Sequence, residues 1–171
     1  MQSLVLSWKF IIKNLVHAKK KNAVLVLGSG PLHEIPLTIL SETFLQVDLV
    51  DIVHLDITKK TYSHLENVHF IQADITELEA SILKEKKIIN KIPSQFLEDH
   101  YDLVISANLL SQLSYHLRNF LEEKAHPKLT PESLDAFAYE VTKNHFEYLH
   151  KFPCPVILIT DVESHLLNRK N

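Results

Sequence analysis

Ala23-Val24-Leu25-Val26-Leu27-Gly28-Ser29-Gly30, followed later by Val47-Asp48-Leu49-Val50-Asp51, is the stretch whose reading decides the fold. The first run is apolar at every position rather than at alternate ones. That pattern suits a strand covered on both faces, as in a parallel sheet. Gly28 and Gly30 break it with a turn in which backbone can adopt left-handed conformations and approach a neighbour closely. Pro36 fits the first turn of a helix carrying Leu37, Ile39, Leu40 and Phe44, so residues 28–35 read as an extended loop. The second apolar run ends on a carboxylate. Strand, glycine turn, helix, strand and acid form the kind of unit that holds a nucleoside. The glycines admit the ligand to the backbone, and the acid accepts hydrogen bonds from ribose hydroxyls.

Working outward, Leu4, Trp8, Ile11, Ile12, Leu15 and Val16 recur at helical spacing and predict a first helix with one face on the core. Val68 to Gln72 predicts a third strand, and Leu78 to Lys87 the helix behind it. Tyr101 to Ala107 predicts a fourth strand, with a helix starting at Asn108-Leu109-Leu110. Thr130-Pro131-Glu132 is a helix start, and the helix it opens should bury Leu134, Phe137, Ala138, Val141, His145, Tyr148 and Leu149. Pro153 and Pro155 break that helix and launch a fifth strand, Val156 to Thr160. Strands alternating with helices imply a three-layer, doubly wound α/β domain spanning 1–171. Its mainly parallel sheet has about five strands in the order 3-2-1-4-5.

Composition narrows the function classes. The 171 residues are 46% apolar and 23% charged, as in a globular protein, and the net charge of −3 gives no general pull toward nucleic acid or anionic lipid. Lys19-Lys20-Lys21 reads as a basic helix end. One cysteine, Cys154, excludes an internal disulfide and fits a reducing compartment. Lys9 and Lys13 interrupt the N-terminal apolar stretch, which therefore reads as neither a signal sequence nor a membrane span. A cytoplasmic protein with no membrane partner is the expectation. The 11 histidines include no tight cluster with cysteine partners, so no metal site is expected. Ser29 lacks the full glycine flanks of a nucleophile elbow, and nothing marks Cys154 as activated.

In a sheet of this type ligands sit beyond the carboxyl ends of the strands, where strand order reverses. The polar residues there are Gly28, Ser29, Gly30, His33 and Glu34 after the first strand, Asp51 and His54 after the second, and Asp74 after the third. Ser106, Asn108 and Gln112 follow the fourth, and Asp161 and Glu163 the fifth. Asp74 has two readings, a contact to the exocyclic amine of adenine or a cap for the following helix.

Val24-Leu25-Val26-Leu27-Gly28-Ser29-Gly30, Leu49-Val50-Asp51-Ile52, Phe70-Ile71-Gln72-Ala73-Asp74 and Tyr101-Asp102-Leu103-Val104-Ile105-Ser106-Ala107-Asn108 stand in order. They resemble the motifs of class I S-adenosylmethionine-dependent methyltransferases, and the resemblance runs from Ala23 to Asp161. It implies S-adenosylmethionine as cofactor and methyl transfer by direct displacement to a small-molecule or protein acceptor. Gly28, Ser29, Gly30, Asp51, Ile52, Asp74 and Ser106 are then the expected cofactor contacts, and Asn108 and Gln112 the residues that orient the acceptor. Asn108 is outside the Pro-Pro-aromatic context of enzymes acting on base or glutamine amino groups, so nucleic acid is disfavoured.

The departures carry information too. Val26 replaces the acid that often precedes the glycine turn, and Glu34 is the charge-complementary substitute for holding the ligand's ammonium group. Leu32 occupies the third glycine position. Only Val162 to Asn171 follow the fifth strand, too few for the two further strands of the family. The fifth strand is then an apolar edge, with two readings: another chain covers it, as in a homodimer, or the sequence is a shortened version of a longer ancestor. Two other readings compete: a non-catalytic binding or interaction protein on the same scaffold, and a nicotinamide-dependent oxidoreductase. The latter needs a third glycine where His33 stands.

Overall fold

The computed structural model describes residues 2–78, 91–121 and 130–161. The expected helix from Leu78 to Lys87 and the rim residue Glu163 therefore lie largely or wholly outside the described residues. Five strands, β1 (Ala23–Leu27), β2 (Gln46–Asp51), β3 (Val68–Gln72), β4 (Leu103–Ala107) and β5 (Val156–Ile159), form one sheet. Every pairing is parallel and the order is β3-β2-β1-β4-β5, as the alternation of elements predicted. β1 is the central strand: Leu27 is in register with Val50 of β2 on one side and with Ser106 of β4 on the other. All five residues of β1 and of β4 are buried, which explains their unbroken apolar runs.

Alternate residues of each strand feed two cores. Val24, Val26, Val47, Leu49, Leu103, Ile105 and Ala107 face Ile11 and Leu15 of the N-terminal segment and Leu37, Leu40 and Phe44. The helices on this side are α1 (Gln2–Asn14), which runs on into a 3-10 turn, Leu15–His17, and α2 (Leu37–Thr43). On the opposite side Leu25, Leu27, Val50 and Val104 meet Tyr148, Leu149 and Phe152. That side carries α4 (Leu109–Phe120) and α5 (Pro131–Leu149), which pack on each other. A short α3 (Asp56–Thr61) follows β2, with Thr58 buried beneath it. α5 starts as its sequence indicated: the Thr130 hydroxyl accepts from the Ser133 amide and Pro131 fills the first helical position.

Two expectations need correction. α1 buries a narrower stripe than its periodicity suggested. Ile11, Leu15 and Ala18 are buried, whereas Ile12 and Val16 fall beside that line and stay exposed, and Trp8, one turn before Ile11, is 42% exposed with its indole N–H donating to the His33 carbonyl. β4 starts at Leu103 instead of Tyr101, since Tyr101 turns its hydroxyl to the buried Asp48 carboxylate, 2.8 Å away. Among the described residues no helix is long and apolar enough to cross a membrane.

Candidate functional site

Strand order reverses between β1 and β4, so the carboxyl ends of β2, β1 and β4 define the rim where a ligand would sit. The glycine turn is built onto the end of β2. The Gly28 and Ser29 amides donate to the Val50 carbonyl at 2.9 and 3.3 Å, and the Gly30 amide donates to Asp51 Oδ2 at 2.7 Å. The carboxylate thus points at the turn. Among the described residues its other oxygen accepts a long contact from the Val53 amide, 3.4 Å, and has capacity for a further donor.

The two glycines have different reasons to be there. Gly28 has φ +73°, and a Cβ on it would lie 2.5 Å from Leu109 Cγ and 2.6 Å from the Ala107 carbonyl. It is the point where the first loop packs against the β4–α4 turn. Gly30, at φ +49°, has among the described residues, its chain neighbours aside, no atom within 4 Å of where a Cβ would stand. The space above it is open, beside the Asp51 carboxylate. Leu32, in the third glycine position, keeps a left-handed φ of +65°. An L-residue there costs roughly 1–2 kcal/mol, and the burial of its side chain in the core offsets this.

Ser29 is buried, and its hydroxyl has no hydrogen-bond partner among the described residues. An orphaned buried hydroxyl between the two glycines costs free energy unless something outside the described residues meets it. The Ser29 hydroxyl is sealed from the surface, whereas the space at Gly30 and the Asp51 carboxylate beside it are open to a ligand that donates hydrogen bonds. Ile52 follows Asp51 with 54% of its side chain exposed, an apolar surface at the rim. Glu34 is half-buried in the loop leading to α2.

Other expected contacts are placed differently. Ser106 is fully buried inside β4, not beyond its end, and its hydroxyl lies 3.0 Å from His145 Nε2 on α5. It faces the helix layer rather than the rim. Burial holds His145 down at about 4, so the imidazole paired with Ser106 is neutral. Asp74 is bonded within its own loop: Oδ1 accepts from the Thr76 amide (2.8 Å) and hydroxyl (2.6 Å), and Oδ2 from the Leu78 amide (3.1 Å), while the helix it was expected to cap lies outside the described residues. Asn108 is half-buried at φ +56°, a conformation asparagine tolerates better than most residues, and its amide donates to the Ile159 carbonyl at 2.8 Å. Gln112 is exposed in the first turn of α4.

A brace at the β3 end was not visible in the sequence. Glu77, at φ +56°, accepts from the Ser94 amide (2.6 Å) and the Gln95 amide (3.0 Å) and pairs with Lys91 at 2.6 Å. Burial alone would push its carboxyl up, but those cationic and amide donors outweigh it and hold it at about 2. Gln95 in turn donates to the Asp74 carbonyl, and the Tyr148 hydroxyl to the Gln95 carbonyl. No local pattern marks contacts made across such separations.

His54 is buried, with Nε2 2.9 Å from the Ile71 carbonyl, and no group of three or more metal-ligating side chains converges among the described residues. Burial pushes the Cys154 thiol up, away from an activated thiolate. A cavity of about 150 Å³ lined by Phe10, His17, Leu103 and Val156 opens at the amino ends of β4 and β5, the opposite end of the sheet from the glycine turn.

No family model matches the chain, and no curated protein matches it. Among solved structures it is similar to one described as the DhpI-SAM-HEP complex. That alignment has 18% sequence identity and a TM-score of 0.43, and covers 84% of this chain and 50% of that one. The chain thus spans about half the length of the protein it aligns with.

Proposed function

We propose that this chain is a methyltransferase-type domain that binds S-adenosylmethionine over the glycine turn and delivers its methyl group to a small-molecule or protein acceptor. The observation that carries the reading is the 2.7 Å contact from the Gly30 amide to Asp51 Oδ2, with open space above Gly30. It joins the turn and the ribose-type acid in one rim, at the reversal of a 3-2-1-4-5 parallel sheet. In this reading the second Asp51 oxygen takes a ribose hydroxyl, Ile52 lies against the adenine ring, and Glu34 holds the ammonium group. When bound, the cofactor supplies an electrophilic methyl group on a sulfonium centre, so the chain's task is alignment and exclusion of water. Asn108 stands at the β4 end facing the reversal and Gln112 one turn into α4, which makes them the residues to orient the acceptor. Ser106 and Asp74 are left with structural work.

A second reading, a non-catalytic binding domain, is favoured by one specific fact. The Ser106 hydroxyl is sealed against His145 and the Asp74 carboxylate is spent on its own loop, so two expected contacts have internal partners. Thermal-shift titration with S-adenosylmethionine, S-adenosylhomocysteine and NAD tests the ligand class. Stabilisation by both adenosyl ligands and not by NAD supports the proposal, whereas stabilisation by NAD alone assigns the nicotinamide reading. Release of S-adenosylhomocysteine in the presence of an acceptor then separates the enzyme from the binding domain.

A further inference from the structure

The overall charge of −3 hides a segregation. All 21 acidic residues lie after His33, whereas residues 1–33 carry five lysines and no acid. α1 concentrates that positive charge on a surface that is also apolar. Its buried line runs from Ile11 through Leu15 in the following 3-10 turn to Ala18 just beyond it, at spacings of four and three. On the opposite side Lys9, Lys13 and Val16 repeat that spacing, with Leu6 and Phe10 on the adjoining line. Lys9 and Lys13 are exposed, as are Lys19 and Lys20 just beyond the helix. Leu6, Phe10 and Val16 are 66%, 52% and 75% exposed, and Trp8 and Ile12 flank them in part. Lys21 is the exception in the cluster: it donates to the Leu15 carbonyl and stands 5.1 Å from the Phe44 ring centre, so it closes the helix end.

We propose that this outward face of α1 docks on an anionic lipid surface, independently of the methyl-transfer reading. Lysines interleaved with exposed Leu, Phe and Val on one helix are the composition of an interfacial helix, in which the apolar side chains enter the headgroup boundary and the cations meet acidic headgroups. The other occupants fit less well. A second copy related by a two-fold axis would bring Lys9 and Lys13 against the same lysines. A nucleic-acid backbone would pair with the lysines but leave Leu6, Phe10 and Val16 in water. The expectation of no lipid attraction rested on the net charge, which averages two oppositely charged regions.

Co-sedimentation of the full chain with phosphatidylcholine vesicles containing about one part in three phosphatidylglycerol tests the proposal. Binding is expected to these vesicles, to weaken as salt rises, and to be far lower on pure phosphatidylcholine. Lys9→Gln with Lys13→Gln should reduce partitioning about 25-fold, taking about fivefold per lysine. Phe10→Ser with Val16→Ser should also reduce it, at every salt concentration. All four positions are exposed, so circular dichroism should show the fold kept in both variants. No binding to anionic vesicles overturns the proposal, as does equal binding to pure phosphatidylcholine or indifference to the lysine variant. Light scattering that finds a dimer which Phe10→Ser dissociates, without vesicle binding, assigns the face to a second copy. Retention of RNA or DNA that depends on Lys9 and Lys13, again without vesicle binding, assigns it to nucleic acid.

Discussion

Replacing each glycine of the turn by alanine should give two different phenotypes. At Gly28 the new methyl would stand 2.5 Å from Leu109 Cγ and 2.6 Å from the Ala107 carbonyl, at a φ of +73°. The left-handed conformation costs roughly 1–2 kcal/mol for an L-residue, and forcing a methyl into packed surroundings costs roughly 1–3 more. A combined loss of about 2–5 kcal/mol corresponds to a fall in Tm of about 4–20 °C for a domain of this size. At Gly30 the methyl enters open space, so only the backbone term of roughly 1–2 kcal/mol remains. That variant should stay folded but bind an adenosyl ligand more weakly, because the methyl occupies the ligand's side of the turn. Thermal unfolding followed by circular dichroism measures both. Adding Leu109→Ala to Gly28→Ala should recover part of the loss, because it removes one of the two clashes and leaves the carbonyl. A Gly28→Ala protein that unfolds no earlier than Gly30→Ala refutes the close packing of the first loop on the β4–α4 turn.

Stability should also fall in acid, in two windows. His145 takes up a proton near pH 6.5 when unfolded but only near pH 4 when folded, so between those values the unfolded state binds more protons and stability drops by about 3 kcal/mol. Glu77 adds a second decline between about pH 4.5 and 2, because its carboxyl ionises at lower pH in the fold. Chemical denaturation across pH checks both: His145→Gln should flatten the upper window alone, and an unchanged profile contradicts the buried pairing with Ser106. Asp74→Ala removes the acceptor for the Thr76 and Leu78 amides and should cost about 1–3 kcal/mol without any ligand present. Equal stability of that variant would return Asp74 to the ligand side.

The strands were legible because apolar runs such as those of β1 and β5 alternate with helical periodicity, and their order because right-handed crossovers with helices on both faces lead to the doubly wound 3-2-1-4-5 arrangement. Asp51 and Gly30 were legible for the same reason: one ends a strand and the other begins the loop beside it. Ser106 was misread because a serine near a strand's end looks like a rim residue. Only the alternation of faces along β4 shows that it sits with Val104, toward α5, where His145 meets it. The Asp74 loop bonds depended on Thr76 and Leu78 folding back, a local hydrogen-bond pattern that competes with the ligand reading in any sequence. Glu77 reaches Ser94 across 17 residues, and no periodicity encodes that distance. α1 misled through its richness: with apolar side chains on most of its surface, helical spacing alone cannot say which line faces the sheet.

The proposed site depends on Asp51 holding an adenosyl ligand as well as the Gly30 amide. Isothermal titration of S-adenosylhomocysteine into the native protein and into Asp51→Ala addresses this directly. A loss of roughly 1.5–3 kcal/mol is expected, about 10- to 150-fold in Kd, for removal of a charged hydrogen-bond acceptor. Equal affinity in the two proteins, or no binding by the native chain, contradicts it.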